Sequence, residues 1–269
     1  MPELPEIETI KRGIGSLEGQ IIKKVIIRNN SLRYKISHTF ASEVTGKKIQ
    51  NIKRRAKYLI LELSEGYIII HLGMSGSLTL LNDANTDIKK HDHFDLETEN
   101  FILRYNDPRR FGLVMYFCDL NQCRLLYKLG PEPLDTSFNV KHLLSKLKNK
   151  KSSIKQLIMD NHIVVGVGNI YACEALFKAH ISPLKAGECI TKDEAEKLVK
   201  SIKKVLKLAI ELGGSSLRDY KQADGNLGYF QNIHNVYGKS GKPCPKCGAK
   251  ILEKRLGQRN SFYCPVCQK

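Results

Sequence analysis

Four cysteines near the end of the chain constrain it more than any other feature. Cys244-Pro-Lys-Cys247 and Cys264-Pro-Val-Cys267 are two C-x-x-C knuckles separated by sixteen residues. That spacing lets four thiolates converge tetrahedrally on one Zn²⁺ from the ends of a β-hairpin. A redox C-x-x-C is the competing reading, but two pairs at this spacing in a Lys/Arg-rich segment point to a closed structural metal site. Between the knuckles lie Lys250, Lys254, Arg255, Gln258, Arg259 and Asn260, a basic loop suited to phosphate. Zinc hairpins occur in nucleic-acid proteins of many kinds, so this element alone does not imply an enzyme.

The other cysteines, Cys118, Cys123, Cys173 and Cys189, are scattered without ligand spacing, which argues against a disulfide framework. Lys and Arg together number 44 against 27 Asp and Glu, an excess of 17 positive charges that would neutralise phosphates and release their counterions. Nucleic acid is therefore the first partner expected, with a solvated basic surface or attraction to a membrane as the plainer alternative. The start of the chain, Met1-Pro2-Glu3-Leu4-Pro5-Glu6, has neither a basic nor an apolar leader region, and apolar runs such as Tyr67 to Ile70 are far too short to span a bilayer. A cytoplasmic protein without a membrane partner is expected.

At 269 residues the chain has room for two or three domains. Ile7, Ile10, Ile14 and Leu17 recur at helical spacing between Pro5, suited to a helix start, and Gly19, suited to an end. Short β-rich runs follow at Ile21 to Ile27, Tyr58 to Leu63, Tyr67 to Leu72, Ser77 to Leu81, Phe101 to Tyr105 and Leu113 to Phe117, the pattern of a β-sandwich or barrel. Gly130-Pro-Glu-Pro-Leu-Asp135 can continue neither element, and beyond it the apolar period changes from two to 3.6. Four helices are expected there, the clearest opening with Thr191 and Glu194 in capping-box positions and stopping at Gly213-Gly214. A polar stretch from Ser215 to Asn235 then leads to the cysteine hairpin; it is too long to be a minimal connector, and such loops are often functional. The expected division is 1–130, 131–222 and 223–269.

The amino terminus can act as a reagent. Removal of Met1 before the small Pro2 would expose a secondary amine, and an α-amino group with a pKa of about 7.7 to 8.0 is partly neutral and nucleophilic near physiological pH. Such an amine can form an iminium with an aldehyde sugar. Glu3 beside it and Glu6 one helical turn on could transfer protons or steady cationic intermediates. Taken alone, the simpler reading is that the Pro-Glu pairs start a helix and complement its dipole.

Taken together, Pro2-Glu-Leu-Pro-Glu-Ile-Glu8, Arg55-Ala-Lys57-Tyr, His71-Leu-Gly-Met-Ser-Gly76, Asp107-Pro-Arg-Arg-Phe-Gly112, Gly166-Val-Gly-Asn-Ile-Tyr171 and the four-cysteine finger closely resemble the bacterial formamidopyrimidine-DNA glycosylase family from end to end. The ordered set is specific where any one piece is not. Leu4 resembles this branch rather than its relative endonuclease VIII, which usually has glycine there, and so favours oxidised purines as substrates. The resemblance implies an α+β multidomain fold: an N-terminal helix plus β-sandwich, a helix-two-turn-helix domain and a C-terminal β-hairpin zinc finger with one structural Zn²⁺.

The activity it implies is that of a bifunctional glycosylase and abasic-site lyase of base excision repair acting on damaged double-stranded DNA; a monomer is expected because a chain that clamps DNA needs no partner subunit. Pro2 matches the nucleophile that attacks C1′, displaces 8-oxoguanine or a formamidopyrimidine and forms a Schiff base resolved by β- and δ-elimination. Glu3 matches the acid that assists sugar opening, and Glu6 a nearby organising carboxylate. Lys57 matches a phosphate contact and proton donor, its plainer alternative being one more surface lysine beside Lys53, Arg54 and Arg55. Arg259 matches an arginine assigned to phosphate binding and δ-elimination, and its permanent charge suits the clamp better than the acid.

Chemistry on a base inside a duplex requires everting the nucleotide, which leaves a hole in the stack. Met74, Arg109 and Phe111 match the family's void-filling set, although core packing is the ordinary role of a Met or Phe. His91 and Lys150 match DNA contacts, with Lys151 adjacent to the latter, and Asn169 matches a phosphate ligand at a helix start. His93 is read as structural. Gly166-Val-Gly168 is no dinucleotide fingerprint, because Tyr171 takes the place of the third glycine and no βαβ unit precedes it. The segment around Leu217 to Gly225 matches a loop over the everted base. Ser215-Ser216 and Ser261 stand where threonines are more usual, and the hydroxyls remain. The competing functions are an oxidised-pyrimidine glycosylase and a zinc-finger DNA-binding protein without catalysis. The joint presence of Pro2, Glu3, Lys57 and Arg259 argues against the second.

Overall fold

The structure is a computed structural model and describes residues 2–82, 86–215 and 229–269. The chain divides into two compact units, Met1–Tyr127 with Leu212–Tyr229, and Lys128–Glu211 with Phe230–Lys269.

The first unit opens with helix α1 (Leu4–Gly13), whose Ile7 and Ile10 enter the core as their spacing predicts. Two four-stranded antiparallel sheets follow. One has the order β1 (Lys24–Ile27), β6 (Asp92–Glu97), β7 (Ile102–Asn106), β5 (Ser77–Leu81); the other has β2 (Ile49–Arg55), β3 (Tyr58–Leu63), β4 (Tyr67–His71), β8 (Leu113–Phe117). Leu59, Leu61, Ile68 and Ile70 of one sheet and Leu78, Phe94, Leu96 and Leu103 of the other share a single core, so the arrangement is a sandwich. A short helix α2 (Phe40–Val44) adds Phe40 to it, edge-on to Phe94 at 5.6 Å between ring centroids.

Several elements depart from the sequence expectation: α1 ends at Gly13, short of Gly19, with a separate 3₁₀ turn over Gly15–Leu17, α2 was not foreseen, and three strands differ. Strand β1 is shorter than the run from Ile21, which makes only an isolated bridge to Lys48. Strand β2, Ile-Gln-Asn-Ile-Lys-Arg-Arg, is too polar to read as a strand and is held by its pairing with apolar β3. Strand β6, Asp-His-Phe-Asp-Leu-Glu, is buried over most of its length despite its acids. Asp95 explains this: it accepts from Arg104 Nε and Nη2 at 3.0 and 2.9 Å and from Arg28 Nη2 at 2.5 Å, and these guanidinium bonds hold its carboxyl below the usual range against the opposing effect of burial.

The second unit contains α3 (Val140–Leu147), α4 (Ile154–Ile158), α5 (Asn169–Ala179) and α6 (Lys192–Glu211), then the hairpin β9 (Leu252–Leu256) and β10 (Arg259–Tyr263). The capping box of α6 forms as expected, with Glu194 N donating to Thr191 Oγ1 at 3.3 Å and Thr191 N to Glu194 Oε2 at 3.0 Å. Apolar residues of α5 and of the cysteine hairpin, among them Cys173, Phe177, Val236, Ile251 and Phe262, form one cluster that seats the hairpin on the helix. Among the described residues, no helix is long and apolar enough to cross a membrane.

Candidate active site and nucleic-acid interface

In the first unit, Glu3 caps α1 and Glu6 occupies its third helical position, the reciprocal arrangement of a capping box. Pro2 is buried, and Glu3 and Glu6 are each 2 % exposed. Glu6 Oε2 accepts from Glu3 N at 2.8 Å and Oε1 from Ser215 N, also at 2.8 Å. The chain reaches Ser215 through Gly214, at φ +80°, where a Cβ would press on the Glu6 carboxylate. A carboxylate buried this deeply is stable only with such donors. Glu6 thus ties the start of α1 to the segment that ends in Ser215.

Lys57 stands in the two-residue turn between β2 and β3, after Ala56, whose φ of 53° is left-handed. Arg54 supports that turn. Its Nη1 donates to the Ala56 carbonyl at 2.9 Å while its Nε donates to Glu8 Oε2 of α1 at 2.9 Å. Beside the turn, His71 accepts at Nδ1 from Gly73 N (3.0 Å), so Nε2 carries its proton. Burial, and then the charges of Lys57 and Arg33, lower the His71 pKa to about 4, leaving a neutral ring.

Met74, in the turn after β4, is half-buried; Arg109 and Phe111, between β7 and β8, are exposed. The two loops touch at Gly73, φ +60°, where a Cβ would overlap the backbone of Phe111. The Arg109 guanidinium carbon lies 4.7 Å from the centroid of the Phe111 ring. His91 is half-buried just before β6, its ring edge-on to that of His93 at 6.1 Å. His93 is buried and its Nε2 donates to the Asp107 carbonyl at 2.8 Å, a structural bond.

In the second unit, Lys150 and Lys151 are exposed between α3 and α4. Asn169 begins α5 and is largely buried, its Nδ2 donating to the Asn260 carbonyl at 3.1 Å. Lys155 Nζ donates to the same carbonyl at 3.0 Å and to Ser261 Oγ at 2.6 Å. These bonds fix the hairpin on α4 and α5 beside exposed Arg259, which with Lys155, Gln156, Met159 and Gly257 lines a groove of about 190 Å³. Glu174 of α5 secures the incoming chain by accepting from Asn235 N, Asn235 Nδ2, Val236 N and Tyr237 N at 2.9 to 3.0 Å.

The sulfurs of Cys244, Cys247, Cys264 and Cys267 all lie within 4.8 Å of one another, with Cys244–Cys267 at 3.9 Å and Cys247–Cys264 at 3.4 Å. Tetrahedral Zn–S bonds of about 2.3 Å require sulfurs about 3.8 Å apart, so the donor set fits the ion. Lys246 N donates to Cys244 Sγ and Cys267 N to Cys264 Sγ, each at 3.4 Å, so the knuckle backbone turns its amides toward the sulfurs. Among the described residues this is the one such cluster of potential ligands.

Three family models match in order: the formamidopyrimidine-DNA glycosylase N-terminal domain over residues 1–114, the formamidopyrimidine-DNA glycosylase H2TH domain over 129–221, and the zinc finger found in FPG and IleRS over 241–269. The formamidopyrimidine-DNA glycosylase of Histophilus somni (strain 129Pt) is 50 % identical over 271 residues, covering 100 % of both chains, and that of Pasteurella multocida (strain Pm70) is 49 % identical with the same coverage. The chain belongs to the formamidopyrimidine-DNA glycosylase family. Its fold is that of the MutM (FPG) protein of Thermus thermophilus, with TM-score 0.89, 37 % identity and coverage of 99 % and 98 %. It is also that of a Lactococcus lactis FPG mutant in complex with a Fapy-dG containing DNA, with TM-score 0.93, 36 % identity and full coverage of both chains.

For this member of the glycosylase family, the fold gathers Pro2, Glu3 and Glu6 at one helix start and Met74, His91, Arg109 and Phe111 around the loop that Asp107 begins, while Lys150, Asn169 and Arg259 belong to the other unit. The four cysteines form the site of one structural Zn²⁺. The segment from Leu217 to Gly225 lies outside the described residues. Sequence reasoning missed His71, Asp107, Lys155 and Glu174. His71 and Asp107 lie inside motifs that carry the resemblance, whereas nothing in the sequence sets Lys155 or Glu174 apart from other charged residues on a helix.

Proposed function

We propose that this chain is a bifunctional DNA glycosylase and abasic-site lyase of base excision repair, which removes oxidised purines such as 8-oxoguanine and formamidopyrimidines from double-stranded DNA. The observation that carries the reading is the buried Glu3–Glu6 capping box around Pro2 in a chain that matches the family over its whole length. Relatives of the same fold are described in complex with Fapy-dG containing DNA and with abasic-site containing DNA.

With Met1 removed, the Pro2 nitrogen attacks C1′ and the bond from C1′ to the damaged base breaks, the base leaving with its electron pair and taking up a proton. Glu3 protonates the sugar ring oxygen as the ring opens, so that the Pro2 nitrogen and C1′ become an iminium. The iminium acidifies C2′; loss of that proton expels the 3′ phosphate, and a second elimination expels the 5′ phosphate. Water then releases the sugar fragment and regenerates the amine. Glu6 orders the helix start, and Lys57 and Arg259 hold the phosphates that leave.

Eversion empties the stack, and Met74, Arg109 and Phe111 refill it, Arg109 meeting the orphaned cytosine. His91, Lys150 and Asn169, together with the backbone amides at the start of α5, hold the flanking backbone. The division 1–130, 131–222 and 223–269 assigns the chemistry to the first part and the DNA grip to all three, in a protein that works in the cytoplasm.

The test is product analysis on duplexes carrying 8-oxoguanine opposite cytosine, a formamidopyrimidine, or an oxidised pyrimidine. Faster release of the purine lesions, with a gap bearing phosphate at both ends, is expected. Preferential release of the pyrimidine, or binding without release, would replace this reading.

A further inference from the structure

Asp107 is fully buried, and its carboxylate is saturated by donors from three segments. Oδ1 accepts from Ser75 Oγ at 2.6 Å and from Arg109 N at 3.3 Å; Oδ2 accepts from Gly112 N at 2.9 Å and from Tyr105 OH at 3.1 Å. Ser75 Oγ itself accepts from Arg109 N at 3.2 Å. The main chain of Asp107 continues the pattern: its N–H donates to the His91 carbonyl at 3.1 Å, and its carbonyl accepts from Arg110 N at 3.2 Å and from His93 Nε2 at 2.8 Å.

All of these partners except Tyr105 and His93, which anchor the carboxylate and the carbonyl from the sheet, are or adjoin residues to which the proposed function gives a place on the DNA. Ser75 follows Met74, Gly112 follows Phe111, and Arg109 and His91 are bonded directly. The side chains of Arg109 and Phe111 are exposed while the carboxylate beneath them is sealed. A buried carboxylate is tolerated only when hydrogen-bonded, so its demand for donors fixes both loops before any DNA arrives. Gly73 and Gly112 let the loops close around it, since a Cβ at Gly112 would overlap Tyr105 and the His71 carbonyl. Exposed tips on a fixed base are the arrangement that lowers the ordering cost of binding.

We propose that Asp107 and Ser75 form a positioning pair that sets Met74, Arg109 and Phe111 relative to one another, and so governs eversion and reading of the opposite base, not the bond chemistry at C1′. The inference rests on the proposed function for the identity of the step it governs.

Ser75→Ala removes the hydroxyl that bridges Asp107 and Arg109 and keeps the carboxylate; Asp107→Asn is the second variant, changing the carboxylate itself. We expect Ser75→Ala to slow excision of 8-oxoguanine opposite cytosine by about tenfold, the scale of one lost hydrogen bond to a charged group. The preference for cytosine over adenine opposite the lesion should narrow. Borohydride trapping on a single strand with a preformed abasic site, where no stack needs refilling, should stay within about twofold of the parent. Equal losses on the duplex and on the single strand, or an unchanged opposite-base preference in both variants, would overturn the proposal. Affinity for a duplex with a tetrahydrofuran abasic analogue opposite cytosine or adenine is measured in parallel. A parent protein that excises nothing would sink the functional reading, while the change in that affinity ratio still decides the role of the pair.

Discussion

The guanidinium of Arg109 lies over the ring of Phe111, 4.7 Å from its centroid, and both side chains project from a loop whose base is sealed. An exposed cation–π contact contributes about 0.5 to 1 kcal/mol, too little to explain an aromatic left 46 % exposed as a matter of stability. On the proposed function the pair is a preformed wedge, whose ring would enter the stack while the guanidinium held at its face meets the unpaired base.

Phe111→Ala is therefore expected to leave the melting temperature within about 2 °C of the parent while slowing single-turnover excision from a duplex by about tenfold or more. A large drop in melting temperature would mean that the ring packs into the fold instead.

Glu174 makes the opposite kind of prediction. Its carboxylate takes four N–H donors from Asn235, Val236 and Tyr237. In Glu174→Gln one oxygen becomes a donor facing donors. Urea unfolding should show a loss of about 2 to 4 kcal/mol, and DNA affinity should fall because the same contacts lead into the finger.

The four-cysteine site should carry one zinc per chain by metal analysis. Chelation, or Cys264→Ser, should unfold the hairpin and abolish duplex binding, because structural zinc supplies folding energy outright. Retained binding after complete metal loss would show that the clustered apolar residues hold the hairpin by themselves.

His71 introduces acid lability. Its pKa falls from about 6.5 in the unfolded chain to about 4 in the fold, so between those values the unfolded state binds the extra proton. The contribution of the neutral ring is complete above pH 6.5 and is lost progressively as pH falls toward 4. It amounts to up to about 3 kcal/mol, an upper bound for a partly solvated group. His71→Gln keeps an acceptor for Gly73 N–H and removes the titration. Its stability, measured by urea unfolding at pH 7.5 and at pH 5, should fall less than that of the parent.

Much of this was legible in the sequence because it depends on local order. Two cysteine pairs at fixed spacing, the Thr191–Glu194 box and the Gly213-Gly214 stop are instructions read within a few residues. Strand β2 was hidden because its pairing with the next strand, and not its own polar sequence, makes it a strand; β6 was hidden because the guanidiniums of Arg28 and Arg104 that satisfy Asp95 come from other segments. The Pro2–Glu6 segment was readable as a helix start, but not the contact that brings Ser215 to Glu6, which spans the whole unit. Lys155 illustrates the limit most clearly. On α4 it looks like a solvated lysine, yet it is 1 % exposed because the hairpin carbonyl of Asn260 and the Ser261 hydroxyl meet it.

The proposed function turns on attack of the sugar by the secondary amine of Pro2. The most direct measurement is borohydride reduction of the purified, zinc-loaded protein on a duplex holding one 8-oxoguanine opposite cytosine, with mass spectrometry of the digested adduct and Pro2→Gly alongside. The expected adduct is a chain lacking Met1, covalently joined to the sugar through the Pro2 nitrogen. An adduct on a lysine such as Lys57, or no adduct from protein that has lost Met1 and binds the duplex, would contradict this expectation.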